Sequence, residues 1–257
     1  MWWPGIRRGH PLARGLVSLW PLWEGGGSQS MDVVGGRHMT HYNTPTWRGG
    51  DILFDDGQTE YLAHANPVVL APPVTMACWY RADNVDAGQL HALMSIGSNV
   101  DSTELFLFVR NSSGTKYAAA QSADSFGEGA RDQLTFAWTA GVWTHYVARW
   151  ATTSSREVGV DGTMTGSPET TLLAPGTLTE TAIGSRLTTA GRLYYPSGDI
   201  AEAAIWNRAL SDAEVQELYE DPWGLITPRR RTYSYVTGAP ASGPGWWWGT
   251  GWREGAA

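Results

Sequence analysis

Apolar residues along this chain fall in short runs separated by turn residues, the signature of strands. GLVSLWPLWEGGG, residues 15–27, reads as a first strand closed by a glycine turn. Residues 31–50 are polar and glycine-rich and read as a long loop. DILFDDGQTEYLAH, residues 51–64, reads as two short strands joined in a hairpin at Asp56-Gly57. VTMACWYRAD, residues 74–83, is apolar at nearly every position, as expected of a strand covered on both faces. HALMSIGS, ELFLFVRN and TKYAAAQSA follow, the last two separated by the turn residues Asn111, Ser112, Ser113 and Gly114. QLTFAW, GVWTHYVARW and SREVGVDGTMTG continue the series, with a hairpin turn predicted at Asp161-Gly162. TLTETAIGS and GDIAEAAIWNRAL close it. Only SDAEVQELYED, residues 211–221, has helical character. Ser211 with Glu214 forms a capping box, Val215 and Leu218 give a narrow apolar face, and Pro222 ends it.

Composition agrees with this pattern. The 257 residues include 31 Gly and 14 Pro and are only 17% charged, which suits many strands joined by tight turns. The expected fold is an all-β, two-sheet antiparallel sandwich with one short helix near the C-terminus and extended terminal arms. Its domain is expected over residues 15–226, between an N-terminal arm, 1–14, and an Arg/Trp-rich tail, 227–257. A net charge of −7 argues against a nucleic-acid partner. Lys116 is the only lysine among 18 Lys and Arg, a bias that reads as that of a GC-rich genome, with a packed assembly surface as the alternative because arginine pairs and stacks better. Cys78 is the only cysteine and lies in an apolar run, so it reads as a small buried hydrophobe. No apolar leader opens the chain, and no stretch approaches the ~20 apolar residues of a membrane span, so neither secretion nor a membrane is expected.

GDIAEAAIWNRALSDAEVQELYED resembles the closing strand and helix of concanavalin-A-like, laminin-G-type jelly rolls. The match runs through Gly198, Ile200, Glu202, Trp206, Asn207, Arg208, Ala209, Leu210 and Ser211. The segments at 15–27, 52–64 and 141–166 resemble the family's first strand, its Phe-Asp-Gly…Tyr hairpin and its Trp-x-x-Val-Ala strand with the following Asp-Gly turn. HPLARGLVSLW and LYEDPWGLITPRRRTYS are similar to the ends of phage and prophage proteins that carry this domain. The resemblance implies a jelly roll. It further implies a virion protein made in bacterial cytoplasm, decorating a capsid or forming part of a tail.

Candidate chemistry is sparse. Sandwich glycosidases of this fold converge two or three carboxylates from alternate positions of one strand. The nearest candidate, Asp199 with Glu202, has odd spacing, which predicts opposite faces, so no catalytic residue is assigned. His38 and His41 have metal-like spacing in a polar loop and read as solvated. Among relatives of this type a Ca²⁺ site often follows strand one, and the resemblance carries over Asp32 alone as a calcium ligand. The expected acid at 201 is alanine, and Arg37 has entered the loop. No other cofactor is expected. For a lectin-like glycan site, the candidate stacking residues are Trp47, Tyr194 and Tyr195, with a loop aromatic folded down as a lid over the core as the alternative for each.

The arms hold the remaining candidates. Trp2, Trp3, Trp246, Trp247, Trp248 and Trp252 sit among glycine and proline, and Arg229, Arg230 and Arg231 precede the tail indoles. Each indole buries roughly 150–250 Å² when docked, so these residues are expected to bind neighbouring virion subunits, including copies of the same chain; the alternatives are a tail laid back on its own sandwich and, for the three arginines, a solvated linker. The functional expectation is therefore a non-enzymatic virion component anchored by its arms. The alternatives are a carbohydrate-binding adhesion module displayed on a virion and a degenerate glycoside hydrolase.

Overall fold

The computed structural model describes residues 5–101, 103–123 and 129–227. Two antiparallel sheets of eight strands each face one another. The first contains, from edge to edge, Gly129–Thr135, Thr115–Ala123, Glu104–Ser112, Leu90–Gly97, Glu180–Ile183, Tyr61–His64, Met39–Tyr42 and Gln29–Ser30. The second runs Thr163–Met164, Ser155–Val160, Thr144–Thr152, Val74–Ala82, Gly198–Trp206, Ile52–Phe54 and Thr46–Trp47, with Leu16–Trp20 paired to Gly198–Trp206.

Alternation along the strands builds the core. Leu105, Leu107 and Val109 point inward from one sheet, and Met76, Cys78, Tyr80, Tyr146, Ala148 and Trp150 from the other. Cys78 is fully buried, and burial pushes its thiol far up. The strand Val74–Ala82 is covered on both sides over much of its length. Ala77 packs outward, with Trp206, Val215, Leu218 and Leu225, beneath the helix Asp212–Glu220. The Ser211–Glu214 capping box is formed on both of its arms. Hairpins occur as predicted at 112–115 and at Asp161-Gly162.

Two local expectations change. Asp56–Gln58 is a 3₁₀ turn, and the strands on either side of it, Ile52–Phe54 and Tyr61–His64, belong to different sheets. The Asp-Gly signal therefore marks a corner between layers, where Asp55 Oδ1 accepts the Gly57 N–H. The stretch 31–50 contains two short strands, Met39–Tyr42 and Thr46–Trp47. Their alternation is too short to stand out, and pairing with Tyr61–His64 and Ile52–Phe54 sets them.

Of the stretch read as an N-terminal arm, residues 5–14 lie against the outer face of the second sheet. Leu12 is fully buried there, and its carbonyl accepts the Trp206 indole N–H at 2.7 Å. Gly5–Ile6 pairs with Ile226–Thr227, so the two ends of the described chain leave the body side by side.

Candidate ligand-binding face

The outer face of the first sheet carries the main concentration of aromatic and arginine side chains. Register brings Tyr42 directly opposite Tyr61, while their neighbours His41 and Leu62 point inward. The two tyrosine rings stack at 4.5 Å with 6° between planes, and Tyr195 lies 6.1 Å from Tyr61. Tyr42 is 41% exposed. The Arg192 guanidinium lies 4.1 Å over the Tyr61 ring, pairs with Glu180 and donates to Ser185 Oγ. Partial burial raises the Tyr61 and Tyr195 hydroxyls above their ordinary range, and the Arg192 charge pulls both back.

Arg192 belongs to a two-strand hairpin, Arg186–Thr188 with Gly191–Leu193, that folds back across this face. Ser95 Oγ donates to the Ser185 carbonyl at 2.7 Å. Gly97 faces the Leu187 carbonyl so closely that a Cβ would lie 2.9 Å from it, so only glycine allows this approach. Glu104 and Glu180 both stand opposite Gly97, one on each neighbouring strand. Arg186 holds the first and Arg192 the second. Burial raises the Glu104 carboxyl, and Arg186 with Gln121 draws it partly back.

Beyond the hairpin, Phe106, Phe108, Tyr117, Ala92 and Ala119 form a closed apolar floor. Arg186 covers Phe106 at 5.5 Å and Tyr194 at 5.8 Å. Tyr194 takes a left-handed backbone, φ 66°, and its carbonyl accepts the Ala92 N–H at 2.7 Å. The structure therefore brings Tyr194 and Tyr195 to one face with Tyr42, Tyr61, Arg186 and Arg192. Sequence reasoning missed these last four. The outward parity of Tyr61 beside inward Leu62 was the available signal.

Trp47 lies elsewhere. Its ring packs against the core and tilts over His41 at 5.1 Å, and its N–H donates to the Gly27 carbonyl at 2.9 Å, the geometry of a lid. His38 and His41 are engaged separately, not solvated. His38 Nδ1 accepts the Asp32 N–H, and His41 Nε2 bonds Ser30 Oγ. Burial lowers His41 to about 4, so it is neutral near pH 7.

Asp32 organises its loop. Oδ1 accepts the N–H groups of Leu19, Val34 and Gly35, and Oδ2 accepts that of Arg37, all at 2.9–3.1 Å. The Arg37 guanidinium reaches from this loop to donate to the Val17 carbonyl in the strand Leu16–Trp20. A carboxylate bonded to four amides beside a guanidinium does not suit a divalent cation. Among the described residues, no group of three or more His, Cys, Asp or Glu side chains is placed to hold a metal ion.

Asp199 and Glu202 depart from the predicted opposite faces. A β-bulge between Ala201 and Ala204, with Glu202 at φ 50°, turns Glu202 outward. It lines a water-sized cavity with Ala77, Trp79, His145 and Leu218 beneath the helix. Burial, helped by Asp221, pushes its carboxyl well above the ordinary range. Asp199 is held instead by Arg81, at 3.0 and 2.8 Å. Each acid thus has its own surroundings and the two do not converge. The Arg bias finds a use here: Arg81, Arg149, Arg186, Arg192 and Arg208 each pair with a carboxylate of the same chain. The proposed partner residues Trp2, Trp3, Arg229, Arg230, Arg231, Trp246, Trp247, Trp248 and Trp252 lie outside the described residues.

Solved structures of similar architecture include the binding domain of Paraclostridial Mosquitocidal Protein 1 (TM-score 0.57, 13% identity, covering 83% of this chain and 53% of that one). The Trypanosoma rangeli sialidase in complex with sialic acid is a second (0.59, 13%, 84% and 34%). Domain 4 of AbnA, an extracellular arabinanase from Geobacillus stearothermophilus, in complex with arabinotriose is a third (0.55, 14%, 79% and 98%). This chain thus spans about half of the first and a third of the second, and at such identities the likeness is one of fold. No curated protein matches the chain. The family profile described as the concanavalin A-like lectin/glucanases superfamily matches residues 56–216, from the inter-sheet corner to the helix. With the two-sheet topology and the closing strand and helix in place, the chain belongs to that superfamily.

Proposed function

We propose that this protein is a non-catalytic carbohydrate-binding module that lays a glycan on the hairpin-crossed face of its first sheet. The observation that carries the reading is the exposed Tyr42–Tyr61 stack, with Tyr195 and Arg192 beside it. Flat rings edged by an ion-paired arginine offer an apolar platform for sugar C–H faces and polar groups for hydroxyls. Two of the similar solved structures are described with a bound sugar, sialic acid in one and arabinotriose in the other. Among the described residues, the one pair of carboxylates on the face, Glu104 and Glu180, is spent on holding the hairpin. The Leu187 carbonyl lies over Gly97 between them, where a scissile bond would have to sit. The test is a glycan array with wild type and Tyr61→Ala. Binding that falls about tenfold or more in the variant supports the reading. An array without hits for the wild type overturns it.

A second, compatible reading is display of the module on a virion, anchored through its ends. The paired strands Gly5–Ile6 and Ile226–Thr227 lie on the outer face of the second sheet, opposite the tyrosine platform. A groove of about 450 Å³ between Ile6, Arg8, Leu16 and Val34 opens beside them. This arrangement supports anchoring on one side and binding on the other. Assembly of a protein lacking residues 233–257 as efficiently as the full chain would remove the anchoring role.

A further inference from the structure

On the far side of the hairpin from the tyrosine stack, the same face changes character. Its outward-facing charged side chains are Arg110, Arg131, Arg186 and Arg192 against Glu104 and Glu180 among the described residues. This positive excess stands out in a chain of net charge −7. Arg186 and Arg192 are spent on the two glutamates. Arg110 and Arg131 have no carboxylate partner among the described residues, and both flank Tyr117.

Arg110 stands directly opposite Tyr117 across the strand pair. Its Nε is buried with no hydrogen-bond acceptor. Arg131 approaches the Tyr117 ring at 5.9 Å from its other side, and its side-chain hydrogen bond among the described residues is a long one, 3.4 Å, to Gln133 Oε1. Tyr117 is only 4% exposed, so the ring is the floor beneath the two cations and not a surface for ligand. The neighbouring outward positions Gln121, Gln133 and Thr135 are neutral hydrogen-bonding groups. Asp132, the acid next in sequence to Arg131, turns to the other side, where its Oδ2 accepts the Val158 N–H and the Thr165 hydroxyl. Lys116, next to Tyr117, is likewise turned away and donates to the Trp138 carbonyl.

A guanidinium is a planar fork of donors that matches a carboxylate or a sulfate. Two such forks over one aromatic floor, beside two amides and a hydroxyl, match a sugar that carries an acidic group. We propose that the Arg110–Tyr117–Arg131 patch is an anionic subsite, and that the glycan this face takes is acidic, bearing carboxylate or sulfate. This inference rests on the glycan-binding reading and names its ligand class.

The test compares the full-length protein with Arg110→Gln and Arg131→Gln by titration calorimetry. The probes are an oligogalacturonate, its fully methyl-esterified counterpart, a sulfated heparin-type oligosaccharide and its desulfated form. Binding is expected for at least one acidic probe, about tenfold or more weaker for its neutral counterpart and for either variant, and weaker still at high salt. Unchanged melting temperatures show that the variants fold. The carboxylated and sulfated arms tell the two anionic chemistries apart. Equal affinity for acidic and neutral probes, or acidic binding that neither variant weakens, overturns the subsite. Binding of neutral glycans alone, lost in Tyr61→Ala, overturns it as well and leaves the carbohydrate-binding reading standing. No binding of any probe by the wild type overturns the subsite, and with an empty glycan array overturns both.

Discussion

Single residues carry unequal loads here, and the two heaviest are acids with opposite surroundings. Asp32 is 4% exposed and accepts four backbone N–H groups, so it substitutes for water across a whole loop. Replacing it by alanine leaves those donors unpaired. Asp32→Ala should cost roughly 3 kcal/mol, measured by urea unfolding, because hydrogen bonds to a charged acceptor are worth about 1.5–3 kcal/mol and are not additive. Glu202 is the reverse case, a buried carboxyl with its pKa raised by desolvation and then by Asp221. Between the unfolded value near 4.5 and its raised folded value, the native state holds the extra proton, so stability falls as pH rises through that window. Glu202→Gln removes the titration and suits the same backbone. Its melting temperature should decline less than that of wild type from pH 5 upward. Parallel declines would show that Glu202 does not govern this slope.

At the scale of elements, the sandwich is locked by arginine clamps at points where the chain changes layer or direction. Arg208 donates to both oxygens of Glu214 at 2.7 Å and to the Arg14 carbonyl at 2.6 Å, tying the helix start to the N-terminal stretch. Arg149 joins Glu157, Asp212 and the Leu210 carbonyl in the same region. The Arg208 hydrogen bonds, with those from Ser211, lower Glu214 to about 2. A depressed carboxyl contributes stability above its unfolded pKa of 4.5 and loses it as pH falls towards 2. The stability gap between wild type and Glu214→Gln should therefore narrow across pH 4.5 to 2, followed by thermal melts. A gap of constant size would assign Glu214 a capping role without charge. The hairpin at 186–193 follows the same logic, with Arg186 and Arg192 as its clamps and Gly97 as the residue that lets it lie close.

For the whole molecule, the consequence is a division between two outer faces. One is sealed by the helix, by Leu12 and by the paired strands at the two ends of the described chain. The other presents tyrosines and arginines around the hairpin. The proposed functions should separate accordingly. Removal of residues 233–257 should leave glycan affinity within about twofold of wild type while abolishing incorporation into a particle, and Tyr61→Ala should do the opposite. Loss of both properties in either variant would contradict a two-sided molecule. Truncation after residue 232 leaves every residue of the described core from Trp20 to Ile205 in place, so the truncated chain should melt at the same temperature as the full one.

Strand identity, the capped helix and the turns at 112–115 and Asp161-Gly162 were all set locally, by alternation over neighbouring residues and by side chains that bond their own backbone. From these, the sandwich and its family resemblance were legible. What lay beyond local pattern was anything that depends on partners distant in the chain. Asp56-Gly57 has the composition of a hairpin but turns a corner between sheets, because the strands on either side find partners elsewhere. Glu202 faces outward because a bulge shifts the parity that spacing alone predicts. Tyr42, Tyr61, Arg192 and Tyr195 come from three separate stretches, and Arg110, Tyr117 and Arg131 from three adjacent strands. Along a regular, unbulged strand, parity in the sequence sets which side a residue takes. Only register and sheet order decide which of those sides share a surface, because that choice is made by pairing energies summed over the whole sandwich.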